Sequence, residues 1–600
     1  VHRIAVIGGG PKALFALQEL HDRLPDGADV AVDVFDPAEP GGGAVWRPEL
    51  PPALRMNSSA GAVDARFSGF GEALADWVAR THPEHAAETY VPRRLAGAYL
   101  REAFAALVES DRMTVRHVRR RITGLRGTGA PEGTATAAEA APLAGREATG
   151  APAPGARVTG CDAPEPAPEL LDIRAHDEVL LATGHAGPPS DLHDRAGRVP
   201  AGSVAVIRGA ALTGLDAVAL LTEARGGAWV RTPGENPAGF LTYVPSGREP
   251  QRIRILSRSG TVMSPKPDGA HPRLVPAIER ARADLRAQLR AREESISTPA
   301  GAGRGPASVG AGARPGTGRG SASSATGSPA RALPRTAGRG APLDLDALWR
   351  SVLGASENAL AAHGIRTSPL RLWRTLLTGR PARDEAVWAG RQQALFLRTR
   401  IEIDAGLRPP DESWVLGRVW FELFPETLRL LDRARLLPRD RVRLNRVLAH
   451  QERASFGPSG LTARRLVALA DAGLIEFASG SPAPSECIDA VTIGPGVVRA
   501  ALPAAGARTA TGTPDFLDPL FADLHARGLT TIRRGERGVL TAPDGTAIRP
   551  DGGRTEGLAV IGRPTEGPVL GNDTLDRTLH ADGARWAAAA AERAALSSRR

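Results

Sequence analysis

Two stretches combine residue types and spacing suited to holding a nucleotide diphosphate. In the first, Gly8, Gly10, Pro11 and Ala13 follow a short β-branched run, residues 3–7, in G-x-G-x-x-A register. Gly8 permits a tight bend, Gly10 lets a diphosphate approach the backbone, and Ala13 lets the following helix pack closely on the strand. Unpaired N–H groups at the start of that helix favour an anion. Asp36 closes the next apolar run, residues 30–35, where its carboxylate can accept from a ribose 2′-hydroxyl. In the second stretch, Gly209, Ala211 and Gly214, with Thr213 between, repeat the register after residues 204–208, with alanine at the central position. A methyl group there hinders diphosphate approach and predicts looser binding or a shifted pose. Ser257 and Arg258 end a further strand, residues 252–256. A hydroxyl and a guanidinium at that place suit a 2′-phosphate, which favours NADPH over NADH; a solvated surface arginine is the alternative.

Other candidates lie where the chain would return to these turns. Residues 178–185 read as a buried strand ending in Ala182-Thr183-Gly184-His185. Thr183 and Gly184 are small enough for a cofactor or a backbone to pass, and His185 is a candidate acid or base with no visible partner. The glycine- and proline-rich loop from 37 to 57 carries Trp46, Met56 and Asn57. It either sets Trp46 and Met56 against a ring or is an ordinary loop anchored by one tryptophan. Near the end, residues 562–568 form a turn containing Gly562, Thr565 and Gly567. Cys161 and Cys487 are far apart and neither belongs to a C-x-x-C pair, so neither a metal site nor a dithiol centre is expected.

The elements that must position these residues alternate in type. Strand, turn, helix and strand open the chain. Helices are expected over 74–80 and 95–108, and residues 113–125 and 170–174 alternate like the strands of a hairpin. Residues 343–477 have helical periodicity throughout, with tryptophans at core spacing. Strands over 488–494 and 558–562, with a helix over 516–527, return the chain to an αβ pattern. The fold class is α/β, with two Rossmann-like dinucleotide-binding domains, a helical insertion domain and disordered insertions. The expected division is a first dinucleotide-binding domain over 1–196 with a disordered insertion at 127–168, then an NAD(P)H-binding domain over 197–294. A disordered linker at 295–342 and a helical domain at 343–480 follow, and residues 481–585 return to the first domain ahead of a C-terminal helix and tail at 586–600.

Composition removes several classes. The net charge is +10 and the pI about 10.6, but aromatic residues are only 4% of the chain and the arginines are interspersed with acids. No basic stripe with stacking platforms results, so nucleic acid is not an expected partner. Of the 76 basic residues, only Lys12 and Lys266 are lysines. No apolar run approaches the roughly 20 residues that cross a bilayer. With the nucleotide turn so near residue 1 there is also no secretory leader, and the expectation is a soluble, cytoplasmic protein that does not associate with membranes.

Taken together, the residues resemble the bacterial FAD/NAD(P)-binding proteins related to FAD-dependent urate hydroxylase and aspartate N-monooxygenase. The resemblance rests on residues 4–11, the glycine and tryptophan stretch around Trp46, Met56-Asn57 and residues 90–93. It extends to residues 182–185, 208–213, 245–250 with Ser257-Arg258, and 562–567. It implies FAD at the first turn, with diphosphate at Gly8, Gly10 and Pro11, ribose at Asp36, and the loop from Trp46 to Asn57 facing the flavin. The activity it implies is monooxygenation of a small polar metabolite at nitrogen or an activated ring carbon, with NADPH reducing FAD and dioxygen activated as a C4a-hydroperoxide. Such cofactors carry the reactive chemistry themselves, so no catalytic triad or metal cluster is required. Two alternatives stay open: an FAD-dependent NAD(P)H reductase or oxidase without oxygen insertion, and a non-catalytic nucleotide-binding protein, the latter favoured by Ala211.

Overall fold

A computed structural model describes residues 1–127, 168–184, 191–266, 269, 271–297, 342–379, 392–492, 494, 496–501 and 514–598. Of the two stretches expected to be disordered, residues 128–167 and 298–341 lie outside the described residues, as does His185, whereas 295–297 end a helix and 168 starts a strand.

The first unit is built on a six-stranded sheet. Its strands are β1 (His2–Ile7), β2 (Val30–Phe35), β3 (Thr114–Val118), β6 (Glu178–Leu181), β13 (Thr546–Ile548) and β14 (Arg554–Val560), in the order β13-β14-β6-β1-β2-β3. All neighbours pair in parallel except β13 with β14. The inner strands are buried on both faces, and β6 has no exposed residue along its length. Helices α1 (Pro11–Arg23), α2 (Leu74–Thr81) and α3 (Arg93–Glu109) cover one face together with the C-terminal α14 (Asp582–Ser598). The other face packs against β4 (Arg121–Arg126), β5 (Pro168–Asp172) and α13 (Pro519–Ala526). The stretch expected to be a hairpin is divided: β3 joins the main sheet, whereas β4 and β5 pair in parallel. Alternation along a strand sets which face is apolar but not the direction of its partner.

The second unit repeats the plan on a smaller scale. Strands β7 (Val204–Arg208), β10 (Arg252–Ser257), β11 (Ile475–Ser479) and β12 (Ile488–Asp489) form a parallel sheet in the order β11-β10-β7-β12. Helices α4 (Leu192–Gly197), α5 (Leu212–Leu221), α9 (Gln393–Asp404) and α12 (Gly460–Asp471) share its core. A two-stranded ribbon, β8 (Ala228–Arg231) with β9 (Leu241–Val244), lies on α12. The third core belongs to α6 (Val275–Ser297), α7 (Asp346–Ala362), α8 (Pro369–Thr378), α10 (Glu412–Leu431) and α11 (Pro438–Ser455), with Trp349, Trp414 and Trp420 buried.

These memberships differ from the division expected from sequence. α6 turns its apolar side, Ala277, Ile278, Ala281 and Leu285, into the helical core instead of the second sheet, and Leu274 just before it does the same. α9, α12 and β11 leave the helical stretch to complete the second sheet, and β12 does the same from the stretch expected to return to the first. A parallel strand needs a neighbour with the same polarity, and β10 and β7 offer the two open edges. Among the described residues no helix is long and apolar enough to cross a membrane.

Candidate functional site

The two glycine turns are near copies of one another. Gly8 and Gly209 both have positive φ, +98° and +117°. A Cβ on Gly8 would lie 2.7 Å from the Ala182 carbonyl oxygen beyond β6, and one on Gly209 would lie 2.9 Å from that of Ala490 beyond β12. Only glycine fits either place. The N-cap residues also match, Gly10 at φ −78°, ψ −176° and Ala211 at φ −94°, ψ −174°. Ala211 therefore leaves the turn unstrained, and at the central position the difference is its exposed methyl group. Neither helix has a side chain capping its first turn. In α1, Pro11 occupies the first position, where its missing N–H costs nothing, and Ala13 is fully buried against the strand.

The first turn fits a dinucleotide. The nearest protein atom to a Cβ built on Gly10 would be 3.9 Å away, so glycine here leaves room that no protein group takes up. Asp36 accepts hydrogen bonds from the N–H groups of Gly9 (2.7 Å) and Ala38 (2.8 Å), one on each carboxylate oxygen. A carboxylate has about four acceptor positions, so the capacity for a ribose hydroxyl remains. The loop from residue 37 folds back over the turn: Gly41 donates to the Gly9 carbonyl (2.7 Å), and Pro40 packs on Gly9. Trp46 is half-buried beside it, with the Arg93 guanidinium 5.9 Å from its ring. Thr183 and Gly184 follow β6 at the same edge, and Gly562 stands where β14 ends.

Three of the expected residues are tied into the frame. Met56 is 1% exposed and belongs to the first core, so it has no surface to offer a ring. Thr565 is fully buried and its hydroxyl donates to the Gly562 carbonyl (2.8 Å). Gly567 adopts φ +102° beside Glu536, where a side chain would collide. Asn57 has a joining role: its Nδ2 donates to the Gly457 carbonyl (3.1 Å), while its own carbonyl accepts from Lys266 Nζ (2.9 Å). Lys266 N–H donates in turn to the Pro458 carbonyl (2.7 Å). Segments from all three units thus meet at one lysine.

At the second turn, Thr213 lies in the first turn of α5, and the same helix holds Asp216 in a two-pronged ion pair with Arg93 of α3, at 2.8 and 3.1 Å. At the end of β10, Ser257 Oγ is buried without a hydrogen-bond partner. Arg258 is exposed and, among the described residues, has no ion-pair partner. Arg453, near the end of α11, donates to the Thr261 carbonyl (2.9 Å), and the charge of Arg258 adds to burial in lowering its pKa. An unpartnered hydroxyl and two guanidiniums that form no ion pair among the described residues fit a 2′-phosphate.

Sequence reasoning passed over a set of buried charged groups that interact with one another. Burial pushes Lys12 and Lys266 down to about 8, and Asp573 lies within electrostatic reach of both. Glu452, one residue before Arg453, is pushed up to about 7 by burial and by the like charges of Asp573 and Glu566. Arg563 pairs with Asp573 (3.2 Å), and Glu566 accepts from Asn572 (2.6 Å). The available signal was that a chain using arginine almost everywhere keeps lysine at just these two positions. Among the described residues no group of three histidine, cysteine or acidic side chains could hold a metal.

Residues 5–147 match the family described as FAD-NAD(P)-binding. The chain is 30% identical over 294 residues to a nitrosuccinic acid synthase of Aspergillus oryzae, covering 46% of this chain and 43% of that one. It is 31% identical over 296 residues to an L-aspartate N-monooxygenase (nitrosuccinate-forming) of Streptomyces cremeus, covering 43% and 42%. The chain thus spans under half the length of the curated relatives it matches. A lysine monooxygenase structure from Nocardia farcinica aligns at 14% identity over 49% of this chain and 68% of that one, with a TM-score of 0.23.

Proposed function

We propose that this FAD-NAD(P)-binding protein is an NADPH-dependent flavin monooxygenase that hydroxylates the amine nitrogen of a small amino acid. The observation that carries the reading is the pair of matched glycine turns, each at the carboxyl end of a parallel-paired strand. Flavin bound at the first turn supplies, once reduced by NADPH, the activation of dioxygen. The protein holds the diphosphate at Gly8, Gly10 and the start of α1, and the ribose at Asp36. It closes the loop 37–46 over them. Ser257 and Arg258 select the phosphorylated nicotinamide dinucleotide.

Oxygen transfer to nitrogen requires the amine lone pair, so the ammonium form of an amino acid must first lose a proton. Glu452, a carboxyl that burial pushes up to about 7, is the group we assign to accept that proton. Lys266, which forms no ion pair among the described residues, is the cation of this region that can receive a carboxylate. Two relatives whose names specify aspartate support an acidic amino acid as the first substrate to try.

The test is an anaerobic NADPH titration of purified protein followed by flavin absorbance, then admission of oxygen with L-aspartate and with other amino acids. Bleaching by NADPH and oxidised-nitrogen product from an amino acid support the reading. Protein that retains no FAD refutes it. NADPH consumption that yields only hydrogen peroxide with every amine selects the reductase or oxidase alternative.

A further inference from the structure

Lys12 is in an unfavourable place. As the second residue of α1 it puts an ammonium where the helix dipole is already positive. Burial adds a second penalty and pushes its pKa down to about 8. Among the described residues it has no hydrogen-bond partner. Its stem runs past Gly562, where a Cβ would lie 3.3 Å from Lys12 Cγ. The side chain lines a narrow cavity between α1, the end of β14 and the start of α14. In the same cavity Asn572 Oδ1 and His580 Nε2 are buried without partners, and Asn572 is only 2% exposed.

The groups around the ammonium do not balance it. Asp573, Asp582 and Asp576 attract it, in that order. Asp582 is already engaged by Arg433 and Arg585, and Asp573 by Arg563. Glu19 and Arg577, which close the cavity further along α1, pair with each other. His580 is kept neutral, chiefly by burial and then by the charge of Lys12 itself. A half-buried cation at a helix N-terminus, whose acidic neighbours are committed to arginines, is stabilised further by an arriving anion.

We propose that Lys12 is the cationic partner of the diphosphate of the dinucleotide bound at the first turn, and that it takes up a proton as that diphosphate binds. The proposal rests on the reading of this turn as the FAD site. A diphosphate at the start of α1 reverses the local potential that disfavours the ammonium. An arginine would carry a permanent charge and could not adjust. Lysine stays partly neutral in the empty site and charges when the anion is present.

The sign of the linkage follows. Binding raises the lysine's pKa, so affinity is highest where the free protein is already protonated. It should change little below about pH 7 and fall by up to tenfold per pH unit above about 8. At pH 8 about half a proton is taken up per FAD bound, and at pH 7 about a tenth.

With two lysines in the whole chain, Lys12 can be observed directly. Full-length protein carrying ε-13C-lysine gives two side-chain signals, assigned with Lys266→Arg, and each is titrated without ligand and with ADP, riboflavin or FAD. The expected result is that ADP and FAD raise the Lys12 midpoint by a pH unit or more and riboflavin does not. An unmoved midpoint with FAD visibly bound overturns the proposal, as does movement by riboflavin but not by ADP. Failure of both FAD and ADP to bind overturns the reading of the turn itself, a different outcome from bound ligand without a shift. Calorimetry at pH 8 in two buffers supplies the second readout. The proton uptake should vanish in Lys12→Gln, and Lys12→Arg should keep FAD affinity at pH 9.5 without uptake; uptake unchanged in both variants refutes the assignment.

Discussion

The two glycines of the first turn do different work, and a pair of alanine substitutions should separate them. Gly8 has φ +98° and its Cβ would lie 2.7 Å from the Ala182 oxygen, so Gly8→Ala strains the backbone and pushes β6 away. The left-handed conformation alone costs about 1–3 kcal/mol, and the contact adds to it. Gly10 has φ −78°, which alanine adopts freely, and its Cβ would come no closer than 3.9 Å to any protein atom. Alanine is a poorer N-cap than glycine, yet it lowers the entropy of the unfolded chain. These effects are each about 0.5–1 kcal/mol and opposite in sign, so stability should change little. The new methyl group would instead occupy the diphosphate's approach. Losing one charged hydrogen bond there is worth about 1.5–3 kcal/mol, or roughly a ten- to hundredfold weaker FAD dissociation constant. Thermal unfolding of the apoprotein and FAD fluorescence titration measure the two quantities. Gly10→Ala that binds FAD like the parent, or that is destabilised as much as Gly8→Ala, refutes the division of roles. The mirror experiment is Ala211→Gly, which should tighten NADPH binding without moving the unfolding temperature.

Further outcomes follow from other contacts. Arg258→Leu should weaken 2′,5′-ADP binding about tenfold or more while leaving 5′-ADP unchanged, as read by calorimetry. Arg93→Ala removes both prongs of the ion pair to Asp216 and should cost about 3 kcal/mol in denaturant unfolding, since it strands a mostly buried carboxylate. Glu452 has its pKa raised in the folded protein, so its ionisation opposes folding as pH rises from about 4.5 to about 7. Glu452→Gln should therefore match the parent's unfolding temperature at pH 4.5 and exceed it at pH 8, and a constant difference between those pH values would argue against a buried ionisation.

Local signals carried most of what was legible. The strand, turn and helix at Gly8, and the copy at Gly209, are set by neighbours a few residues apart, so their geometry was readable from spacing alone. Asp36 and Ser257 were placed by the same reasoning, because each ends a strand that follows such a turn. What depended on remote pairing was not readable. β12 joins the second sheet across 280 residues of chain from β7, and nothing in Ile488-Asp489 states which edge it will meet. Met56 looked suited to a ring because it lies in a glycine-rich loop, but an unbranched apolar side chain serves a core equally well. The junction of Asn57, Lys266 and Gly457 joins residues 209 and 400 positions apart and leaves no periodic trace. Lys12 lay inside the motif that was read, yet the motif describes backbone, and its side chain acquires meaning only from Gly562 and the segment leading to Asp582.

The placement of β14 has a consequence for how the chain is made. β6 pairs with β1 on one side and with β14 on the other, and α14 packs along α1. During synthesis β1, β2, β3 and β6 can assemble early, but the second edge of β6 stays open until residue 560 has left the ribosome. An open parallel edge on a mostly apolar strand is prone to pair with another chain. The second sheet waits similarly for β11 and β12. Ribosome-bound chains halted before β14 should accordingly bind chaperones and yield to protease at β6, and acquire resistance only when the last hundred residues are released.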